Sequence, residues 1–145
     1  MLEQNDPLFL LARKQNQVVL QMLREAKSAD DLSEFFETFH KLFQEEPVSD
    51  RFYIFVDCSK IVIGASSINL GVLKAIYNFL LENGTILRKR VHVCGILISS
   101  RVLSLSIGTL LSRFELPEVS INLFHDREKC INFMKEKRGT NESQN

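Results

Sequence analysis

The chain has 145 residues, 45% of them apolar and 25% charged, and its basic and acidic side chains cancel to a formal charge of zero. That is the length and composition of one globular domain, with 1–138 as the folded unit and the polar stretch 139–145 as a disordered tail. The charge balance speaks against a direct nucleic-acid binder that works through a broad basic surface.

No apolar run reaches the roughly 18–20 residues that a transmembrane helix needs. The acidic start, Met1 to Asp6, lacks a signal-peptide pattern. Cys58, Cys94 and Cys130 are widely spaced, with no Cys-x-x-Cys pair. Buried, reduced thiols in a cytoplasmic protein fit that usage.

Residues 7–23 allow two readings. Leu8, Leu11, Gln15, Val18 and Met22 lie near helical spacing, while Leu8–Arg13 and Val18–Leu23 would also make a hairpin turning at Lys14-Gln15-Asn16-Gln17. Residues 28–46 are predicted helical. Ser28-Ala29-Asp30-Asp31 suggests a cap, and Leu32, Phe35, Phe36, Phe39, Leu42 and Phe43 form one apolar stripe for packing on a sheet. Pro47 and Asp50 end it.

Phe52 to Val56 reads as a buried strand ending at Asp57. A helix is expected over Leu70–Leu81, stopped by Gly84, with Arg88-Lys89-Arg90 as a solvated loop. Val91–Ile98 is a nearly continuous apolar run, typical of a strand covered on both faces. Ser99 or Ser100 can cap the next helix, striped by Leu103, Ile107, Leu110, Leu111 and Phe114. Val119, Ile121 and Leu123 alternate with polar residues as a strand, and Asp126 caps a last helix carrying Cys130, Ile131 and Met134. From residue 28 onward helices and strands alternate, which predicts an α/β fold with a mostly parallel sheet.

Candidate chemistry is sparse. His40, His92 and His125 have no partner at metal-ligand spacing, so no metal and no cofactor is expected. Neither a Gly-x-Gly-x-x-Gly nor a Walker loop occurs. Gly64-Ala65-Ser66-Ser67 comes nearest to a nucleophile elbow but lacks the second glycine, which disfavours a small hydrolase using Ser66 with a histidine; no catalytic residue is assigned. Asp57 sits where ligands gather in parallel sheets, and it can equally cap the following turn. Ser66 and Ser67 precede a helix, where a hydroxyl can cap, bind an anion or accept a phosphate.

The segment Asp57-Cys58-Ser59-Lys60-Ile61-Val62-Ile63-Gly64-Ala65-Ser66-Ser67 resembles the signature of the STAS domains, the group containing the bacterial anti-sigma-factor antagonists. The step of nine residues from Asp57 to Ser66 matches the family's step from strand-end acid to phosphoacceptor serine. Ala65 stands where the family has an acid, Ile68-Asn69 where it has one glycine, and Arg24-Glu25-Ala26-Lys27-Ser28 where it has a Gly-x-x-Asp segment. The resemblance implies an N-terminal hairpin over 7–23 in a STAS-like mixed sheet. It implies a binding module, not an enzyme: a phosphorylation-controlled switch whose partner is an ATP-dependent serine kinase of the anti-sigma type, reversed by a phosphatase. Ser66, then Ser67, is the implied phosphoacceptor, and Asp57, Asn69 and Lys74 belong to the implied partner surface. The alternative is a constitutive STAS-like scaffold or subunit whose serines are helix caps.

Overall fold

The computed structural model describes residues 7–44, 51–61, 69–113 and 120–143. Two strands open the chain, β1 (Phe9–Lys14) and β2 (Gln17–Met22), and they pair antiparallel with Phe9 opposite Met22 and Lys14 opposite Gln17. The hairpin reading of residues 7–23 therefore holds over the helical one. The turn works without glycine because Gln15 takes a positive φ of 56° and Arg13 Nε donates to its carbonyl at 2.8 Å. Asn16 then ties the turn to the next strand: its carbonyl accepts from Tyr53 N at 2.9 Å and its Nδ2 donates to the Arg51 carbonyl at 3.2 Å.

A single 3-10 turn (Asp30–Leu32) leads into α1 (Ser33–Phe43), followed by β3 (Phe52–Cys58), α2 (Leu70–Arg90), β4 (Val91–Ile98), α3 (Arg101–Leu111), β5 (Ser120–Phe124) and α4 (Arg127–Ser143). The strands lie in sequence order in one five-stranded sheet. Only the β1–β2 pair is antiparallel; β2, β3, β4 and β5 run parallel, each crossover being helical. This is the mixed α/β sheet with an N-terminal hairpin expected from the sequence.

Even-numbered side chains of β2 and β3 (Val18, Leu20, Ile54, Cys58) face α1, α2 and α3, while Phe55 and Leu97 face Cys130, Ile131 and Met134 of α4. Three helices thus cover one face and one helix covers the other. Gly95 of β4 permits the close approach of α4: a Cβ there would stand 3.0 Å from both Cys130 Sγ and Met134 Sδ.

Four expectations change. The Ser28–Asp31 segment does not cap α1, whose N-cap is Leu32; its acids lie in the preceding 3-10 turn, where Asp31 accepts a forked pair of hydrogen bonds from Arg24 at 2.6 and 2.9 Å. Gly84 does not stop α2. A helical glycine costs about 1 kcal/mol relative to alanine, and here the apolar stripe resumes at Ile86 and Leu87, which pack on the core. Arg88-Lys89-Arg90 is accordingly the last helical turn, its charge set against the negative end of the dipole. Arg90 is buried, stacked 5.3 Å above the Phe52 ring and donating to the Leu42 carbonyl at 3.4 Å. Finally, α4 continues through the expected boundary at 138 to Ser143.

The phenylalanine stripe is half realised. Phe43 is 3% exposed, but Phe35, Phe36 and Phe39 are only half-buried. They form an aromatic cluster with α2 in which Phe36 stacks flat on Phe79 at 4.5 Å.

Candidate functional site at the carboxyl edge of the sheet

At the carboxyl end of β3 the chain leaves the sheet with its amides no longer paired by the ladder, and Asp57 supplies the substitute. Its Oδ1 accepts from Ser59 N at 2.9 Å and from Ser59 Oγ at 2.6 Å, an Asx-type turn. Its Oδ2 accepts from Arg127 Nη2 at 2.6 Å, and the same nitrogen reaches Ser59 Oγ at 3.3 Å. Asp57 is buried at 5% exposure, whereas the Arg127 side chain is 54% exposed. Burial pulls the Asp57 carboxyl upward, but the hydrogen bonds from Ser59 and then Arg127 outweigh it and hold the group below the usual carboxylate range.

The first turn of α4 completes this edge. Asp126 caps it as expected, its Oδ1 accepting from Glu128 N at 2.8 Å and Lys129 N at 3.2 Å. His125 Nδ1 donates to the Ile98 carbonyl at 2.9 Å, joining the ends of β4 and β5. Ser100 caps α3 through a bond from Leu103 N at 3.3 Å. All three cysteine thiols are held in their protonated form at neutral pH. Burial, then the Asp57 charge, pushes the Cys58 thiol up to about 12, and burial likewise raises Cys94 to about 12 and Cys130 to about 11.

The neighbouring helix start belongs to Asn69. Its Oδ1 accepts from Val72 N at 3.2 Å, and its Nδ2 donates to the Lys27 carbonyl at 2.7 Å. It both caps α2 and binds the 24–31 segment to that helix. Leu70 beside it is 77% exposed, and Lys74 is exposed one turn on. The expected site residues therefore separate. Asn69 and Lys74 are surface residues at the start of α2. Asp57 is an internal anchor with little surface to offer a partner, and Arg127 presents the charge instead. Ser66 and Ser67 lie outside the described residues.

Sequence reasoning missed Arg127 because its partner Asp57 is 70 positions away. The only local signal was a basic residue directly after a helix-capping acid. Of the histidines, His92 sits at the register shift between β3 and β4, accepts at Nδ1 from Arg51 Nη2 at 2.9 Å and meets Tyr53 edge to face. Burial, then the Arg51 charge, keeps it below its usual value. Among the described residues no group of His, Cys, Asp and Glu could hold a metal ion, and no helix is long and apolar enough to cross a membrane.

A second feature lies on the far side of the sheet. Between β2–β5 and the three helices α1, α2 and α3 runs a cavity of about 280 Å³. Its wall is built almost wholly of apolar side chains, among them Phe36, Ile76, Phe79, Ile96, Ile107 and Leu110. Among the described residues its polar lining is Arg24, Glu25, Asn69 and Ser106.

No family model and no curated protein matches this sequence. Among solved structures, an uncharacterized protein of the DUF3478 family from Shewanella loihica PV-4, described as having a SpoIIAA-like fold, superimposes with a TM-score of 0.57. The identity is 9%, and the match covers 87% of this chain and 91% of the other. At that identity the likeness is one of fold: the chain has the SpoIIAA-like architecture, which is the architecture of the STAS domains that its signature segment resembles.

Proposed function

We propose that this chain is a protein-binding switch of the STAS type, controlled by phosphorylation of Ser66, with Ser67 as the lesser acceptor. Its partner in this reading is an ATP-dependent serine kinase of the anti-sigma type, and a phosphatase resets it. The chain itself catalyses nothing.

The observation that carries this reading is the cap of α2. The strongest bland explanation for two serines before a helix is that they cap it, and that task is performed by Asn69. The exposed Leu70 and Lys74 give the same helix start an apolar and a cationic contact for a partner. A phosphate adds roughly −1.5 to −2 of charge, tolerated at a helix N-terminus in the free protein but costly when buried in an interface without a cation. One modification can therefore spare the fold and abolish the complex.

The test is phosphopeptide mass spectrometry of the protein isolated from its own cells and after incubation with candidate kinases and ATP. Phosphate on the peptide holding Ser66 and Ser67, lost in Ser66→Ala, is the expected result. Ser66→Asp should melt like the parent and bind the kinase at least tenfold more weakly, about 1.4 kcal/mol. No phosphate on either serine, with unchanged binding by Ser66→Asp, would leave the constitutive scaffold as the better reading.

A further inference from the structure

A cavity of this size, partly open to solvent, leaves apolar side chains uncovered that a well-packed domain would bury. It reaches the central strand β4, which forms its floor. Cys94 and Ile96, in mid-sheet, are only half-buried, although the residues flanking them on the opposite face, Val93, Gly95 and Leu97, are buried. Its roof is equally telling: α3 has no buried residue, and α2 buries only Asn83 and Arg90 near its far end. The inward stripes of both helices are apolar, and Val72, Ile76, Leu103 and Ile107 touch the core on one side while bordering the cavity on the other.

We propose that this cavity is a binding site for a small apolar molecule with one uncharged polar end, of the size and class of a medium-chain alcohol. The size follows from volume. An apolar cavity of about 150 Å³ accepts the six carbons of benzene, so about 280 Å³ accommodates roughly eleven non-hydrogen atoms. The apolar character follows from the wall, which offers a hydrocarbon chain dispersion contacts and offers water few partners.

The uncharged end follows from the polar residues. Among the described residues Arg24 is the cation of the lining, and its guanidinium is already forked onto Asp31 at 2.6 and 2.9 Å. Glu25 beside it is an exposed acid. A ligand carboxylate would meet a neutralised cation and a like charge, whereas a hydroxyl can donate to Glu25 or accept from an amide. This site lies across the sheet from the Asp57–Arg127 pair and does not depend on phosphorylation.

The experiment is a titration of the full chain with 1-decanol and, separately, with decanoate, followed by methyl NMR and by thermal melting. Decanol should bind saturably, raise the melting temperature, and shift the methyls of Ile76, Ile96, Ile107 and Ile121 while sparing Ile131 on α4. Decanoate should bind at least tenfold more weakly. The chain has no tryptophan, so Ile96→Trp and Leu110→Trp each fill the cavity with a ring whose blue-shifted emission reports that it is inside. Either folded variant should weaken decanol at least tenfold, and the wild-type shift map stands as the test if neither folds. Absence of saturable binding up to the solubility limit of decanol would overturn the proposal. So would shifts outside the cavity, unchanged affinity in a folded tryptophan variant, or decanoate binding as tightly as decanol.

Discussion

The two faces of the parallel sheet are built from the same kinds of residue and packed to different ends. On the α4 face, Cys130 is fully buried against Phe55 and Leu97, and Gly95 lets Met134 reach the backbone of β4. On the opposite face, three helices surround a cavity that exposes Cys94 and Ile96 of the same strand. β4 thus reads as a nearly continuous apolar run, while Val93 and Leu97 are buried and Cys94 and Ile96 on the other side are only half-buried beside the cavity. Burial in an α/β sheet is a property of what covers each face, and the strand's composition alone does not report it.

Each face also carries its own ion pair. Arg127 and Asp57 pin the first turn of α4 to β3, and Arg24 and Asp31 clip the segment that borders the cavity. These differences can be broken one at a time.

The largest effect is expected within α1, where the packed and hollow environments occur on one helix. Phe43→Ala, at a 3% exposed position, should cost about 3–5 kcal/mol. Phe36→Ala, at the cavity wall, should cost about half of that, because its ring is half-buried and loses mainly the stack on Phe79. Urea denaturation of the two variants measures this; equal losses would mean that the cavity wall is packed as tightly as the core.

Next comes the contrast across β4. Gly95→Val places a branched side chain where a Cβ already meets Cys130 Sγ and Met134 Sδ at 3.0 Å, and overpacking of this kind should cost about 1–3 kcal/mol. Ile96→Phe, one residue on and facing the cavity, should change stability by less than about 1 kcal/mol. Thermal melts of the pair decide the point, and a heavier loss for Ile96→Phe would invert the comparison.

The smallest effect is the response to acid. Asp31 is held down to about 2 by its hydrogen bonds from Arg24 and Lys27, and Asp57 is held below its ordinary value as described. Both folded values lie below the unfolded value of about 3.9, so the stability they contribute is whole above that pH and is lost as the pH falls through the folded values. Urea midpoints should fall between pH 4 and pH 2, more shallowly in Asp57→Asn, which no longer takes up that proton. A midpoint that rises toward pH 2 would show the sign to be wrong.

Much of this was legible in the chain. The alternation of helices and strands after residue 28 predicts the parallel core, because each element's period is local. The N-terminal hairpin was undecided by periodicity: Gln15 carries no turn signature, and what selects the turn is Asn16 bonding to Arg51 and Tyr53, contacts more than thirty residues away. Gly84 misled for the opposite reason, since a local helix penalty was overridden by the packing of Ile86 and Leu87. At the carboxyl edge Asp57 and Asn69 were visible, but the burial of Asp57 and its bond to Arg127 arise only when α4 docks. The cavity had no signature, because a stripe such as Leu103, Ile107 and Leu110 looks the same against a wall or a void.

The central claim, that the α4 face is packed throughout while the opposite face holds a cavity beside its core, is tested most directly by methyl NMR of the full chain under xenon pressure, since xenon enters dry apolar cavities. The account predicts saturable shifts at the methyls of Ile76, Ile96, Ile107 and Ile121, with Ile131 and Met134 on α4 unmoved. Shifts at the α4 methyls, or none at the cavity isoleucines, would contradict it.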